Sequence, residues 1–416
     1  MTGRQRWVTF EYMTDAVIVA TARSPIGRAG KGSMTEVRPT DLTATIVQTA
    51  LGKVPQLDPN TIDDLLLGCG LPGGEQGFNM ARVVAVQLGY DSLPGATITR
   101  YCSSSLQTTR MAFHAIKAGE GDAFISAGVE CVSRFGKGSS DSWPDTRSPF
   151  FADGGARSAL LPQGGTQWHD PREDGVVPDV YIAMGQTAEN LAQLKNVSRA
   201  EMDEFGVRSQ NLAEKAIKDG FWAREITPIT LPNGNVLDRD DGPRPGVTVD
   251  GVSGLKPVFR PDGRVTAGNC CALNDGAAAV VVMSDTKARE LGIKPLARIV
   301  ATGVSGLSPE IMGYGPVEAS RQALARAGMT IDDIDLVEIN EAFAAQVIPS
   351  YQDLGIPLEK LNVNGGAIAV GHPFGMTGAR ITTTLLNSLE WHDKRFGLET
   401  MCVGGGQGMA LILERL

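Results

Sequence analysis

Short runs of consecutive apolar, largely β-branched residues recur along the chain. They are AVIVATA (16–22), IDDLLLGCG (62–70), DAFISAGVE (122–130), AAAVVVMS (277–284), ARIVATG (297–303) and DLVEINEA (335–342). Runs of this length without polar alternation predict strands buried on both faces. The amphipathic stretches between them predict helices, so parallel strands in a layered α/β architecture are expected.

The two ends of the chain resemble each other. AVIVATA has a counterpart in ARIVATG, each followed by a loop and a long amphipathic stretch. IDDL at 62–65 recurs as IDDI at 331–334, and the same offset of 269 residues carries Cys102 to Gly371, beside His372. Both places lead through a small-residue turn into a helix (SLQTTRMAFHAIKAG or GARITTTLLNSLE) and then a glycine-bearing strand. Matches in one order point to duplication of a βαβ-type unit rather than a solenoid.

Residues 132–262 break the pattern with turn clusters such as GKGSSDSWPD and LPNGNVLDRDDGPRPG, and carry helices at TAENLAQLK and, after a Ser198 cap, at AEMDEFGVRSQNLAEKAIKDG. The segment is too long for a connector and is expected to fold over a site. Three units follow: 1–131 with 263–285, then 132–262, then 286–416. Residues 1–12 read as an extension ahead of the first strand, with Met13 as an alternative start.

Composition narrows the function. The 416 residues are 42% apolar and 20% charged, as in an ordinary soluble globular protein. A net charge of −9 argues against a nucleic-acid partner, though helix N-termini can still hold an anionic cofactor. No apolar run approaches the roughly 20 residues of a membrane span. Neither the first fifteen residues nor the closing Glu-Arg-Leu reads as a targeting signal, so a cytoplasmic protein is expected. Six cysteines without disulfide spacing fit a reducing compartment, and four histidines with no CxxC pair give no reason to expect a metal.

Four places could carry chemistry. Cys102 ends a strand-like run and begins a helix, where backbone N–H groups and the helix dipole are expected to lower a thiol's pKa. Taken alone, a buried inert thiol is the commoner reading. His372 lies in a glycine-dense turn, with Pro373 suited to the first turn of the next helix. A lone histidine is more often structural, but duplication would bring this one near Cys102 across a pseudo-twofold axis. Cys402 meets the loop Gly404–Gly406, whose N–H groups could face an oxyanion; a tight turn with a bystander cysteine is the other reading. Asn340 follows a strand at the edge where α/β ligand sites lie, or else caps a helix. Together, two cysteines, a histidine, an asparagine and a glycine loop supply what bond-making beside a thioester carbonyl requires: an acyl carrier, a base for the α-proton and two oxygen pockets.

The stretches CSSSLQT, SAGVECVS, MGQTAENLA, SRAEMDEF, GRVTAGNCCALNDGAAAVVVMS, EINEAFAAQ, NVNGGAIAVGHPFGMTGARI and CVGGGQGMALILER resemble the thiolase family, in the family's order and from about Ala16 onward. GHPFGMTGAR and CVGGGQG are the specific blocks. The resemblance implies an acyltransferase that makes or cleaves 3-ketoacyl-CoA, with Cys102 as nucleophile, His372 as its activator and Cys402 as acid/base at the α-carbon. It implies that Asn340 holds a water that with His372 forms the enolate pocket, and that the N–H groups of Cys102 and Gly404 form the other. Coenzyme A, a substrate rather than a tightly bound cofactor, is expected along Met184, Phe259, Ala267, Cys271, Met312, Ala342 and Phe343. The implied fold is two βαβαβαββ-type halves in five αβαβα layers with an inserted loop domain, in a homodimer or homotetramer.

Three positions depart from the family's usual pattern. Ser105 stands where many members have glycine, Cys271 where many have serine, and Ala183 where some short-chain synthetic members have histidine. The last two turn the expectation toward a broader, degradative acyl range, with the loop 138–180 shaping the acyl pocket. Two other readings are distinguishable. A ketoacyl synthase-type enzyme generally pairs one cysteine with two histidines or with a histidine and an asparagine, whereas Cys402 takes the acid/base place here. A silent acyl-CoA binder has no need to keep Cys102, Asn340, His372 and Cys402 together.

Overall fold

The computed structural model describes residues 14–137, 146–165 and 167–416. The expected N-terminal extension and the part of the loop 138–180 before Thr146 lie outside the described residues.

The first half runs through β1 (Ala16–Arg23), the short β2 (Gly27–Arg28), α1 (Pro39–Gly52), β3 (Asp64–Cys69), α2 (Met80–Gln87), β4 (Gly95–Ile98), α3 (Ser104–Ala118) and β5 (Ala123–Cys131). An irregular stretch follows, with α4 (Ala152–Ser158), α5 (Met184–Leu194), α6 (Arg199–Lys218), a small β6–β7 hairpin (Ile229–Thr230, Val236–Leu237) and α7 (Val249–Ser253). β8 (Asn274–Ser284) returns to the first half, and α8 (Asp285–Glu290) leads out of it. The second half holds β9 (Ala297–Gly306), α9 (Gly315–Ala327), β10 (Leu336–Ile339), α10 (Ala344–Leu354), α11 (Ala367–Val370), α12 (Thr377–Trp391), β11 (Phe396–Val403) and β12 (Gln407–Arg415). The Ser198 cap is present, with Glu201 completing a capping box.

All the strands except β6 and β7 share one sheet, in the order β10-β11-β12-β9-β1-β8-β5-β3-β4 with β2 beside β8. Read outward from the central β1–β9 contact, the halves match: β1 with β9, β8 with β12, β5 with β11, β3 with β10. The place corresponding to β4 is reduced to a single bridge between Val337 and Leu361. The centre of duplication is therefore the antiparallel β1–β9 pair.

Side-chain alternation sets the layers. On β8, Ala277, Ala279, Val281 and Met283 face one core with α1 and α2, while Ala278, Val280 and Val282 face a second. On β12, Met409, Leu411 and Leu413 face that second core, and Ala410 and Ile412 face a third with α9 and α10. α3 and α12 supply Leu106, Ala112, Ile381 and Leu385 to the shared middle core. Five layers result: α1/α2, sheet, α3/α12, sheet, α9/α10. Strands covered on both sides need no polar face, hence the continuous apolar runs.

Strand direction departs from the expectation of parallel pairing. Only β3–β4, β3–β5 and β10–β11 are parallel, whereas β8 and β12 each run antiparallel to both neighbours. Burial on both faces makes a strand apolar whichever way its neighbour runs, so the apolar pattern carries no direction.

Candidate active site

Cys102 lies in a single turn, Tyr101–Ser103, just ahead of α3. Tyr101 has φ +43°, in the left-handed region that a β-carbon disfavours. A tyrosine held there marks a turn fixed by its surroundings. The Cys102 side chain is 8% exposed and lines a cavity of about 470 Å³, together with Gly70, Leu71, Tyr101, Phe374, Gly404 and Gly405 on one side and Val180–Met184 on the other. Thr146 and Arg147, at the start of the described part of the loop 138–180, line it too.

The expected lowering of the Cys102 pKa is overturned. Burial pushes the thiol up to about 12, although the backbone N–H groups of Gly404 and Cys102 pull the other way. Desolvation of a thiolate outweighs two amide dipoles. The resting group is therefore a protonated thiol that needs a base at the moment it reacts.

The hydrogen bonds of His372 fix it in a form able to accept a proton. The Thr377 hydroxyl donates to the Pro373 carbonyl at 2.6 Å, so toward His372 Nδ1, also at 2.6 Å, it can only accept. Nδ1 therefore carries the proton, and Nε2 is a bare acceptor, buried with no protein partner. Burial and the nearby Arg380 charge push the imidazole down to about 3, which keeps it neutral. Pro373 falls short of the expected helical turn, since α12 begins at Thr377; its carbonyl instead receives both the amide and the hydroxyl of that residue. Phe374, edge-on to His372 with ring centres 5.3 Å apart, extends this loop to the cavity wall.

Cys402 ends β11, fully buried, with its pKa raised well above the ordinary thiol value by burial and next by Cys102. Gly404 follows in the β11–β12 hairpin, where a side chain would press on the Tyr101 ring. Asn340 follows β10 with its amide N–H on the Thr400 carbonyl, and its Nδ2 is buried without a partner. It is not a helix cap: α10 starts four residues later, with Phe343 at its cap.

Met184 lines the cavity, and Phe259, Cys271, Met312, Ala342 and Phe343 pack with it in the third core, Phe259 edge-on to Phe343 at 6.3 Å. The Cys271 pKa is raised by burial and then by Cys270, Cys102 and Cys402, which puts a third thiol beside the pair. Ala267 stands apart, exposed in a turn outside this cluster. Ala183 lines the cavity at the N-cap of α5. Ser105 has a definite job: its Oγ accepts the Ala379 N–H at 2.9 Å and ties α3 to the first turn of α12.

Sequence reasoning missed Thr377, Arg380 and Glu130. Glu130, buried on β5, accepts from Gln76 Nε2 at 2.6 Å and from the N–H groups of Gly70 at 2.7 Å and Gly375 at 2.9 Å. It joins the cavity's Gly70 wall to the His372 loop. The signal was a carboxylate inside an apolar run, SAGVECVS, since a charge in a doubly covered strand must be hydrogen-bonded. Among the described residues no group of three or more His, Cys, Asp or Glu side chains could hold a metal. No helix among them is long and apolar enough to cross a membrane.

A protonated thiol, a neutral imidazole with a free nitrogen, a second thiol and backbone N–H groups at the first thiol are the kinds of group that acyl transfer uses, here on a duplicated five-layered fold. The chain belongs to the thiolase family: residues 16–286 match the thiolase N-terminal domain and residues 293–415 the thiolase C-terminal domain. It is similar to the 3-ketoacyl-CoA thiolase of Aeromonas hydrophila, 44% identical over 97% of this chain and 100% of that one, and to that of Bacillus subtilis at 41%, with the same coverage. Its structure is similar to the dimeric peroxisomal thiolase of Saccharomyces cerevisiae (TM-score 0.86, 34% identity, 98% of each chain). It is also similar to the Bacillus anthracis acetyl-CoA acetyltransferase (TM-score 0.84, 38% identity, 97% and 99%).

Proposed function

We propose that the protein cleaves 3-ketoacyl-CoA with CoA, and runs the reverse Claisen condensation, using Cys102, His372, Cys402, Asn340 and Gly404. The observation that carries this reading is the Thr377-fixed tautomer of His372, which leaves Nε2 free to take a proton in a site whose thiol is protonated at rest. His372 Nε2 takes the Cys102 proton as Sγ attacks the 3-keto carbon. The C2–C3 bond then breaks, and Cys402 protonates the α-carbon of departing acetyl-CoA. The Cys402 thiolate takes the proton of incoming CoA, whose sulfur removes the acyl group, and His372 returns its proton to Cys102. N–H groups of Cys102 and Gly404 stabilise the tetrahedral oxygen, and Asn340, through a water, and His372 stabilise the enolate oxygen.

Coenzyme A is the substrate that enters along Met184, Phe259, Cys271, Met312, Ala342 and Phe343, with Ala267 at the outer end of that path. A human mitochondrial 3-ketoacyl-CoA thiolase of similar structure has been solved with CoA. The working form is a homodimer or homotetramer in the cytoplasm; that the Saccharomyces relative is dimeric supports the oligomer. The division into 1–131 with 263–285, 132–262 and 286–416 belongs to the same reading, supported by β8 returning between β1 and β5. The loop 138–180 sets the acyl range, a broad and degradative one, supported by Ala183 at the cavity and by Cys271 packed in the third core with Met184.

A chain-length series of 3-ketoacyl-CoA substrates with free CoA tests this. Turnover is expected at several lengths, and Cys102→Ser should abolish the acyl-enzyme seen by intact mass. Cys402→Ser should still acylate but lose exchange of the α-proton. Absence of turnover at every length, or exchange surviving in Cys402→Ser, would overturn the corresponding part.

A further inference from the structure

Arg380, in the first turn of α12, is fully buried, yet no carboxylate oxygen lies within ion-pair distance of it among the described residues. Its Nε and Nη1 have no hydrogen-bond partner, and Nη2 reaches Asn340 Oδ1 at 3.4 Å. Around it are Glu338 and Glu399, opposite each other on the paired strands β10 and β11, with Glu341 and Glu225 beyond. Burying a guanidinium without a close counter-ion is strongly unfavourable. A residue kept at that cost beside Asn340, and near enough to His372 to act on its charge, calls for a reason other than filling space.

The reason lies in the donor inventory. Guanidinium carries five N–H donors and no acceptor, so the amide atom facing it must be the oxygen. Nδ2 of Asn340 then points the other way, where it is buried and unpartnered. Without Arg380, the amide could turn over and present an acceptor where the enolate pocket requires a donor. Lysine would keep the charge but not the planar fork.

We propose that Arg380 is a positioning residue for the enolate pocket, holding Asn340 Oδ1 so that Nδ2 is the atom turned toward the reacting oxygen. The inference rests on the reading above that Asn340 serves the enolate and the N–H groups of Cys102 and Gly404 serve acylation. Positioning Asn340 bears on the enolate half of the reaction, and Arg380→Lys, which keeps the charge near His372, leaves acylation as the control.

The test measures two half-reactions in Arg380→Lys, Asn340→Ala and the double variant: acyl-enzyme formation from acetyl-CoA by intact mass, and solvent deuterium exchange at the acetyl-CoA α-carbon. Asn340→Ala should slow exchange by about a hundredfold, as the loss of one oxyanion donor does. Arg380→Lys should slow exchange by roughly tenfold or more, while acylation stays within about twofold. In the Asn340→Ala background, Arg380→Lys should add nothing, because it acts through that side chain. If Arg380→Lys does not fold, Arg380→Met takes its place and is judged by whether its effect on exchange disappears in the Asn340→Ala background, because losing the charge near His372 also touches acylation. Equal losses in both half-reactions, or an undiminished effect in the double variant, overturn the proposal while leaving the pocket assignment standing. Normal exchange in Asn340→Ala overturns the pocket assignment itself, and the role of Arg380 with it.

Discussion

The turns ahead of α3 and α12 occupy equivalent places in the two halves, yet each solves a different chemical problem. Tyr101 at φ +43° sets up Cys102 in one, and Gly371 at φ +114° sets up His372 in the other. Both turns lead into a helix of the middle layer, where α3 and α12 pack together. The halves also bury carboxylates differently. Glu130 in the first half is surrounded by neutral donors and fixes backbone, whereas Glu338 and Glu399 in the second lie around Arg380, and Glu399 keeps one oxygen unpartnered. Duplication supplied two facing frames; the difference in side chains put a buried thiol on one, and on the other a neutral imidazole with a buried guanidinium near it.

The sharpest way to break the comparison is to empty each turn. Cys102→Ala should remove turnover below detection, and His372→Ala should lower kcat by about a thousandfold, within the range of lost general acid–base catalysis. Comparable modest losses in a steady-state assay would mean that neither turn holds the reacting group.

Next in size is the tautomer lock. Thr377→Val leaves Nδ1–H without its acceptor, and kcat should fall on the order of ten- to a hundredfold, as when an orienting partner of a functional histidine is lost. Thr377→Ser should restore most of the rate; failure of that rescue would separate the methyl group from the hydroxyl as the cause.

The two kinds of buried carboxylate differ in their stability signatures. Glu130→Ala strips the partner from several buried donors and should cost about 3 kcal/mol or more in denaturant unfolding. Glu338 behaves in the opposite sense. Burial raises its pKa to about 8, and its largest counter-influence is Arg380. A raised folded pKa favours the folded state fully below the unfolded value near 4.5, and that contribution is lost as pH rises through about 8. Glu338→Gln should therefore gain thermal stability relative to the parent as pH goes from 5 to 9, and an unchanged difference in Tm across that span would count against the assignment.

The smallest effect concerns the tie between the two helices. Ser105→Gly removes the bond to Ala379 N–H and places glycine in a helix, for a loss of about 1–2 kcal/mol. Acylation should change little. A larger kinetic than thermodynamic effect would move Ser105 from packing to chemistry.

Much of this was legible in the sequence because it is written in local patterns. The apolar runs marked the strands, the recurring IDD motif and helix signals marked the duplication, and Cys102, His372, Cys402, Asn340 and Gly404 stood out by their glycine-rich or strand-end settings. Glu130 and Arg380 are harder, since Gly375 lies 245 residues from the first and Asn340 40 from the second; Thr377 is only five residues from His372, but the direction of its hydroxyl is set by the folded turn.

What the sequence determined by itself was therefore the inventory: two cysteines, a histidine and an asparagine, each at the end of a buried strand or the mouth of a helix. The fold decided their state. Strand direction was open because burial on both faces gives the same apolar run either way. The thiol pKa escapes a local reading because a helix dipole is local, but desolvation depends on everything packed around the sulfur. The tautomer of His372 and the facing of Asn340 follow from donors that can only donate and carbonyls that can only accept, and those meet only when the two halves close on the middle layer.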